Sequence, residues 1–410
     1  MAQLSIVVTS YNIEGYIEQC LDSIVEQTLH DIEIIVVDDG SSDGTPAIIE
    51  RFAERDARIV PVLLGTNSPG GVATAANAGL DRATAAYVGF ADGDDFCEPT
   101  MFERLLDAAR RGDCDLAMCK YQLFHDESEL VSEPAEVSRW TDLDESVLEL
   151  DVDNQKRILR FIAVPWRKIY RRSMLEEHKI RFPVGDYFYE DNPFHWFSVL
   201  SAKSIAIVPE VLCYHRVARS GQTMDTADER LFRIFQHHAT IRAWISSRGL
   251  ADEFNSTLLA WAISQMEWIA PRTPKELRRQ LFDVLRGVFG PYNSSDVEQA
   301  LVEGNKGQMA RLLSTAVRAG NFANFNRALD TKAKASNPVI SAVYHLRYSG
   351  FAHTARLTRR FASNKLTNSS GSLAGRLRPR SDLSNNDLMF ALIVLEKRLD
   401  AIEARLSDPE

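Results

Sequence analysis

Three groups of residues in this sequence combine side-chain types and spacing that chemistry requires. The first is Asp92-Gly93-Asp94-Asp95, three carboxylates around one glycine. Carboxylates this close repel one another, a cost tolerated where a cation binds. Oxygen donors without a nearby His or Cys favour Mg2+ or Mn2+, ions commonly shared with a substrate diphosphate. Gly93 permits a tight turn and a close approach of backbone to ligand. The second group joins Thr9-Ser10-Tyr11-Asn12 to Asp38-Asp39, an aromatic ring and a carboxylate pair. The third is Tyr189-Glu190-Asp191, shortly before Pro193. Proline suits the first turn of a helix, so Asp191 is expected to present its carboxylate at a positive helix end. The plain alternatives are an acidic turn in water and an N-cap.

The elements that must position these groups follow from hydrophobic patterning. Leu4–Thr9, Ile32–Val37, Arg58–Leu64 and Tyr87–Ala91 read as apolar strands. Between them, Ile13, Ile17, Cys20, Leu21, Ile24 and Val25 mark one face of a helix. Ile48, Ile49 and Phe52 mark a second, and an Ala-rich stretch after Gly70-Gly71 a third. Alternating strands and helices predict an α/β fold with a parallel, doubly wound sheet, which binds ligands at the carboxyl ends of its strands. The polar clusters fall at those ends. The glycine patterns of dinucleotide-binding and P-loop proteins are absent. A crevice rich in carboxylates would repel phosphates unless a divalent ion intervened.

The 410 residues suffice for two or three units, with ordinary hydrophobic (45%) and charged (25%) fractions. A net charge of −10 gives no general reason to expect nucleic acid as a partner. The charge is uneven: residues 331–381 contain ten Lys or Arg and no acid. Five cysteines, without a Cys-x-x-Cys pair, argue against a disulfide framework or zinc site and for a reducing cytosol. No signal peptide is expected at the N-terminus. The longest apolar run, Leu388–Leu395, is far short of the roughly 20 residues of a membrane span.

In order along the chain, Val8-Thr9-Ser10-Tyr11-Asn12, Ile34-Ile35-Val36-Val37-Asp38-Asp39-Gly40-Ser41, Asn77-Ala78-Gly79-Leu80, Asp92-Gly93-Asp94-Asp95 and Tyr189-Glu190-Asp191 are all present. Residues 4–222 thereby resemble an inverting glycosyltransferase of family two, of the bacterial surface-polysaccharide type. The resemblance implies the GT-A fold, a Rossmann-like, mostly parallel sheet with flanking helices. It implies that Tyr11 stacks on a nucleobase with Thr9 nearby, and that Asp39 bonds the base or ribose. Asp92 and Gly93 would meet the ribose or metal, Asp94 would chelate Mn2+ or Mg2+, and Asn77 would line the nucleotide-sugar site. Asp191 would be the general base, with Glu190 tuning it or positioning the acceptor. Arg216, Arg219 and Ser220 would belong to a basic loop over the diphosphate, and His215 is a candidate third metal ligand. Trp166 and Lys168 would contact the acceptor, although Trp166 equally suits the core. Ala76 departs from the family, whose members often carry Arg before that Asn; the donor's identity is thereby put in doubt.

The expected organisation is a GT-A catalytic domain over 1–225, a helical domain over 226–330, a basic linker or membrane-surface segment over 331–384, and a helix over 385–410. Aromatics among the basic residues of 331–381 suit an anionic membrane surface. Leu388, Leu392, Leu395, Leu399, Ile402 and Leu406 form a heptad seam suited to self-association as a homo-oligomer. The expected activity is transfer of a sugar from a nucleotide-sugar donor, a UDP-sugar foremost, to a surface-glycan or lipid-linked acceptor. It would take place in the cytoplasm or on the inner face of the membrane. A degenerate GT-A domain acting as a binding or scaffold protein is the competing reading. A nucleotidyltransferase lacks support, because the first strand is not followed by a Gly-rich, Arg-containing loop.

Overall fold

The structure, a computed structural model, describes residues 2–217 and 229–333. Its first half runs β1 (Leu4–Ser10), α1 (Ile17–Val25), β2 (Ile32–Asp38), α2 (Thr45–Arg55), β3 (Ile59–Leu63), α3 (Ala73–Leu80) and β4 (Tyr87–Asp92). There follow β5 (Phe96–Cys97), α4 (Met101–Arg111), β6 (Leu116–His125), β7 (Leu130–Ser132), β8 (Ser146–Glu149), α5 (Val152–Leu159), β9 (Lys168–Arg171), α6 (Arg172–Glu177), α7 (Asp191–Ser201) and β10 (Ser204–Val217). The described chain ends in helices α8 (Ile234–Ser247), α9 (Ala251–Ile269), α10 (Arg278–Phe289), α11 (Ser294–Glu303), α12 (Gln308–Arg318) and α13 (Phe322–Ala333).

Ten strands form one sheet in the order β3-β2-β1-β4-β9-β6-β10-β5, with β7 on β6 and β8 on β10. The four strands β3-β2-β1-β4 are parallel, as their helical crossovers require. The sheet is not parallel throughout. β9 enters antiparallel between β4 and β6, and β6 and β10 are again parallel. Each face of the sheet carries its own core. Val7, Val37, Val88, Phe90, Tyr170 and Phe194 lie on one face, and Ile6, Val8, Ile34, Val36, Phe102 and Ile169 on the other. β1 and β2 are buried on both faces along almost their whole length, which is why they read as unbroken apolar runs.

Residues 132–155, a polar and acidic stretch, contain β8, a turn of 3-10 helix at Val137–Trp140 and the start of α5. Buried Trp140 anchors this excursion edge-on to Phe161, ring centres 5.2 Å apart. Tyr214–Val217, expected in a basic loop, belong to β10, because Tyr214 pairs with Phe96 and Arg216 and Val217 with Phe124 and His125.

The chain divides into two compact units, Met1–Ala262 and the part from Ile263 onward. The first therefore takes in α8 and much of α9 in addition to the sheet. Within the second, Arg278 is buried and donates to Asn326 (2.8 Å) and Asp330 (2.6 Å), while Phe282 meets Phe322 and Phe325 edge-on. Among the described residues no helix is long and apolar enough to cross a membrane. Ser220, the basic segment beyond residue 333 and the heptad seam at 388–406 lie outside the described residues.

Candidate functional site

The register of the sheet brings the polar strand ends together. Thr9 of β1 lies opposite Asp92 of β4 on one side, and Ser10 opposite Asp38 of β2 on the other. Gly93 then folds back over β1, its N–H donating to the Thr9 carbonyl at 2.9 Å. A Cβ at Gly93 would stand 2.8 Å from that carbonyl oxygen and 2.6 Å from Ile13 Cδ1, so the turn accepts only glycine.

Around this turn, carboxylate oxygens of Asp92, Asp94 and Asp95 lie within 4.8 Å of one another. Burial first, then repulsion from Asp95 and Asp94, pushes the Asp92 carboxyl well above the usual carboxylate range. Such crowding of hard oxygen donors fits Mg2+ or Mn2+. The three acids are not equivalent. Asp95 accepts the Arg216 N–H at 2.8 Å and His215 Nδ1 at 2.9 Å. Burial alone would lower His215, but the Asp95 carboxylate outweighs it and raises the imidazole to about 9. The His215 ring stacks on Trp166 with centres 5.3 Å apart and planes at 17°. His215 therefore reaches the acidic cluster through Asp95. Asp92 and Asp94 carry the other two carboxylates of the cluster.

Arg216 is buried rather than poised on a loop. Its Nε donates to the Asp94 carbonyl at 2.9 Å, and its guanidinium also bonds Asp126 and Gln19. The rings of Tyr16 and Phe124 lie 5.0 and 5.1 Å from that guanidinium. Arg216 braces the acidic turn from behind.

Just beyond the end of β1, Tyr11 is 45% exposed. The backbone beside it is set by Asn12, at φ +49°, whose N–H donates to Ser41 Oγ and whose Oδ1 accepts the Ser42 N–H, both at 2.8 Å. Asp39 is buried and accepts Ser68 Oγ at 2.6 Å.

Glu190 and Asp191 stand where α7 begins. Burial pushes Asp191 above the usual range, opposed chiefly by the Lys168 ammonium. Burial likewise lifts Glu190 to about 7, while hydrogen bonds from Gly71 and Ala73 N–H groups favour its charged form. Asn192 steadies the start of the helix, donating to Asp191 Oδ1 at 3.1 Å and accepting Trp261 Nε1 at 3.1 Å. The Asp191 charge is felt at Asp92, so the two acidic groups share one electrostatic environment.

Three expected contacts are placed differently. Trp166 is a core residue, edge-on to Tyr121 at 4.8 Å, and offers little surface to an acceptor. Lys168 is buried as well, with Nζ donating to the Val164 carbonyl at 2.7 Å. Asn77 bonds both backbone groups of Phe182, at 2.8 and 2.9 Å, which occupies its carboxamide with a clamp inside the protein. Sequence reasoning missed Gln19, Ser68 and Asp126. They carry no motif, and only tertiary contact reveals them. Gly70-Gly71 was visible as a turn, without its partners.

Comparison with known proteins places this geometry. Residues 5–179 match the family model "Glycosyl transferase family 2". The uncharacterized glycosyltransferase EpsJ of Bacillus subtilis (strain 168) is 31% identical over 294 residues, covering 69% of this chain and 83% of its own. The poly(ribitol-phosphate) beta-glucosyltransferase of Bacillus spizizenii (strain ATCC 23059 / NRRL B-14472 / W23) is 29% identical over 55% of this chain and 34% of its own. Among solved structures, S. aureus TarS 1-349 in complex with UDP-GlcNAc superposes with a TM-score of 0.67 at 22% identity, over 82% of this chain and 92% of that one. Its likeness extends to the fold, a GT-A-type mixed sheet followed by helices. The family match spans the strand ends that carry Asp38, Asp39 and Asp92–Asp95, the match to EpsJ extends over 69% of the chain, and the chain belongs to glycosyl transferase family 2 and is a glycosyltransferase.

Proposed function

We propose that this protein is a metal-dependent, inverting glycosyltransferase that moves a sugar from a UDP-sugar to a hydroxyl of a surface-glycan or lipid-linked acceptor. The observation that carries this reading is the cluster of Asp92, Asp94 and Asp95 carboxylates, within 4.8 Å of one another where β4 ends beside β1. The UDP-GlcNAc complex of TarS supports a uridine donor, and the poly(ribitol-phosphate) relative supports a cell-surface polymer as acceptor. Tyr11 stacks on the base, and Thr9 and Asp39 bond the nucleoside. Asp94 and Asp92 would hold a divalent ion, which would supply Lewis-acid neutralisation of the leaving diphosphate. Asp191 takes the acceptor hydroxyl proton as that oxygen bonds to the sugar's anomeric carbon. The bond from that carbon to the diphosphate oxygen breaks on the opposite face, and the single displacement inverts the centre.

Arg219 and Ser220 extend this reading as diphosphate contacts, residues 331–381 as an anionic-membrane contact on the cytosolic side, and 388–406 as a seam for self-association. The test is a screen of nucleotide sugars, with Mn2+ or Mg2+, for hydrolysis and thermal stabilisation. Asp94→Ala is expected to abolish metal-dependent donor binding. Asp191→Asn is expected to keep donor binding and lose transfer. Normal transfer by both variants would overturn the mechanism, and donor binding without turnover in the unaltered protein would favour the scaffold reading.

A further inference from the structure

The loop between β3 and α3 touches both halves of the site. At its near end, Ser68 donates to the Asp39 carboxylate, from Oγ at 2.6 Å and from N–H at 3.2 Å. The backbone presses equally close. Gly40 has φ +72°, and a Cβ there would stand 2.3 Å from the Thr66 carbonyl carbon and 2.4 Å from the Asn67 nitrogen. At its far end, the Gly71 N–H donates to Glu190 Oε1 at 2.9 Å and to the Tyr187 carbonyl at 3.1 Å. Gly70, at φ +92°, lies so near that a Cβ would stand 2.2 Å from the Gly185 carbonyl oxygen. A Cβ on Gly71 would stand 2.8 Å from both Glu190 carboxylate oxygens. Glu190 also accepts from the N–H of Ala73, the first residue of α3. One carboxylate at the start of α7 thus caps the start of α3, where helix N–H groups need acceptors.

We propose that residues 66–72 form a bridge that couples occupation of the donor pocket at Asp39 to the placement of Asp191, with Glu190 as the positioning residue anchoring its far end. The inference rests on the proposed roles of Asp39 and Asp191. Physically, a ligand that orders Asp39 orders Ser68, and the short, glycine-hinged bridge hands that order to Tyr187, Glu190 and the first turn of α7. Phe182 is clamped by Asn77, and Phe188 and Tyr187 are held from behind by His237, through an Nε2 to carbonyl contact of 2.7 Å and a ring contact of 4.7 Å. A coupling of about tenfold is ordinary for linked sites.

The test is hydrogen exchange of the full chain with and without UDP and Mn2+, with GDP and dTDP as alternative probes. In the unaltered protein, nucleotide should slow exchange at 183–192 by about tenfold in addition to protecting residues 9–12 and 37–41. In Glu190→Ala and Gly71→Ala the nucleotide should still protect 37–41, while the slowing at 183–192 falls below about twofold. Glu190→Gln, whose amide oxygen can still accept from Gly71, should restore most of it. Ser68→Ala removes the Oγ bond at the near end and keeps the N–H bond, and should reduce the slowing at 183–192 in the same direction if the far-end variants fail to fold. The split should also appear in kinetics as a fall in kcat with the donor KM little changed. Nucleotide that binds without slowing 183–192 in the unaltered protein overturns the bridge. Failure of all three nucleotides to bind overturns the donor reading, and the bridge with it.

Discussion

Arg216 Nε donates to the backbone carbonyl of Asp94 at 2.9 Å, from a guanidinium buried against Tyr16 and Phe124. The same residue's N–H holds the Asp95 carboxylate at 2.8 Å. Arg216 on β10 therefore fixes both the backbone and one side chain of the acidic turn that carries Asp92 and Asp94. Groups of this kind, one step removed from a metal, commonly change affinity by about 10- to 100-fold when lost.

Arg216→Met is expected to weaken Mn2+ binding by about tenfold or more through loss of this brace. Lysine, lacking the planar fork, should restore little of it. Titration of Mn2+ followed by its electron paramagnetic resonance signal checks the effect. Unchanged affinity in Arg216→Met would mean that the turn holds its shape unaided.

Gly93→Ala places a methyl 2.8 Å from the Thr9 carbonyl oxygen, a backbone atom that cannot swing aside. The turn must move, and the Asp92 and Asp94 carboxylates with it. The expected result is loss of metal-dependent donor binding with the protein still folded. Circular dichroism combined with nucleotide-induced thermal shifts separates the two.

Glu190 gives stability a pH dependence of definite sign. Burial lifts its carboxyl to about 7, so the folded state holds the proton more tightly than the unfolded chain does. The resulting stability is fully present below the unfolded value of about 4.3 and is lost as pH rises through about 7. Glu190→Gln removes that slope. Melting temperatures across this window should fall less steeply with pH in the variant than in the parent, and equal slopes would contradict the assignment.

Glu136 and Arg167 form an ion pair with both side chains fully buried. Arg167 also donates to the Ile162 carbonyl at 2.9 Å and lies 5.2 Å from the ring centre of Tyr121. Glu136→Ala strands the guanidinium without its counter-charge, at a cost of about 3–5 kcal/mol. Urea unfolding measures this. Donor binding at 25 °C should survive, because the pair anchors the 132–167 excursion rather than the nucleotide edge.

The sequence by itself determined the alternation of elements through β4 and the carboxylates at their ends. Local patterning is enough there: β1, β2 and β4 are short, apolar and closed by Asp or Asn, and crossover helices leave little choice but parallel pairing. It also determined the start of α7, since Pro193 and the acids before it are a local signal. Tertiary structure decided how those ends are used. The antiparallel entry of β9 was illegible because Lys168–Arg171 is only four residues long and its partners lie 50 to 84 residues away. Still longer separations hid the bracing of Asp94 by Arg216, 122 residues apart, and the clamp of Asn77 on Phe182, 105 apart. A motif states which side chain is present, whereas burial and hydrogen-bond partners depend on which strands become neighbours. For Glu190 that neighbour is Gly71, 119 residues earlier in the chain.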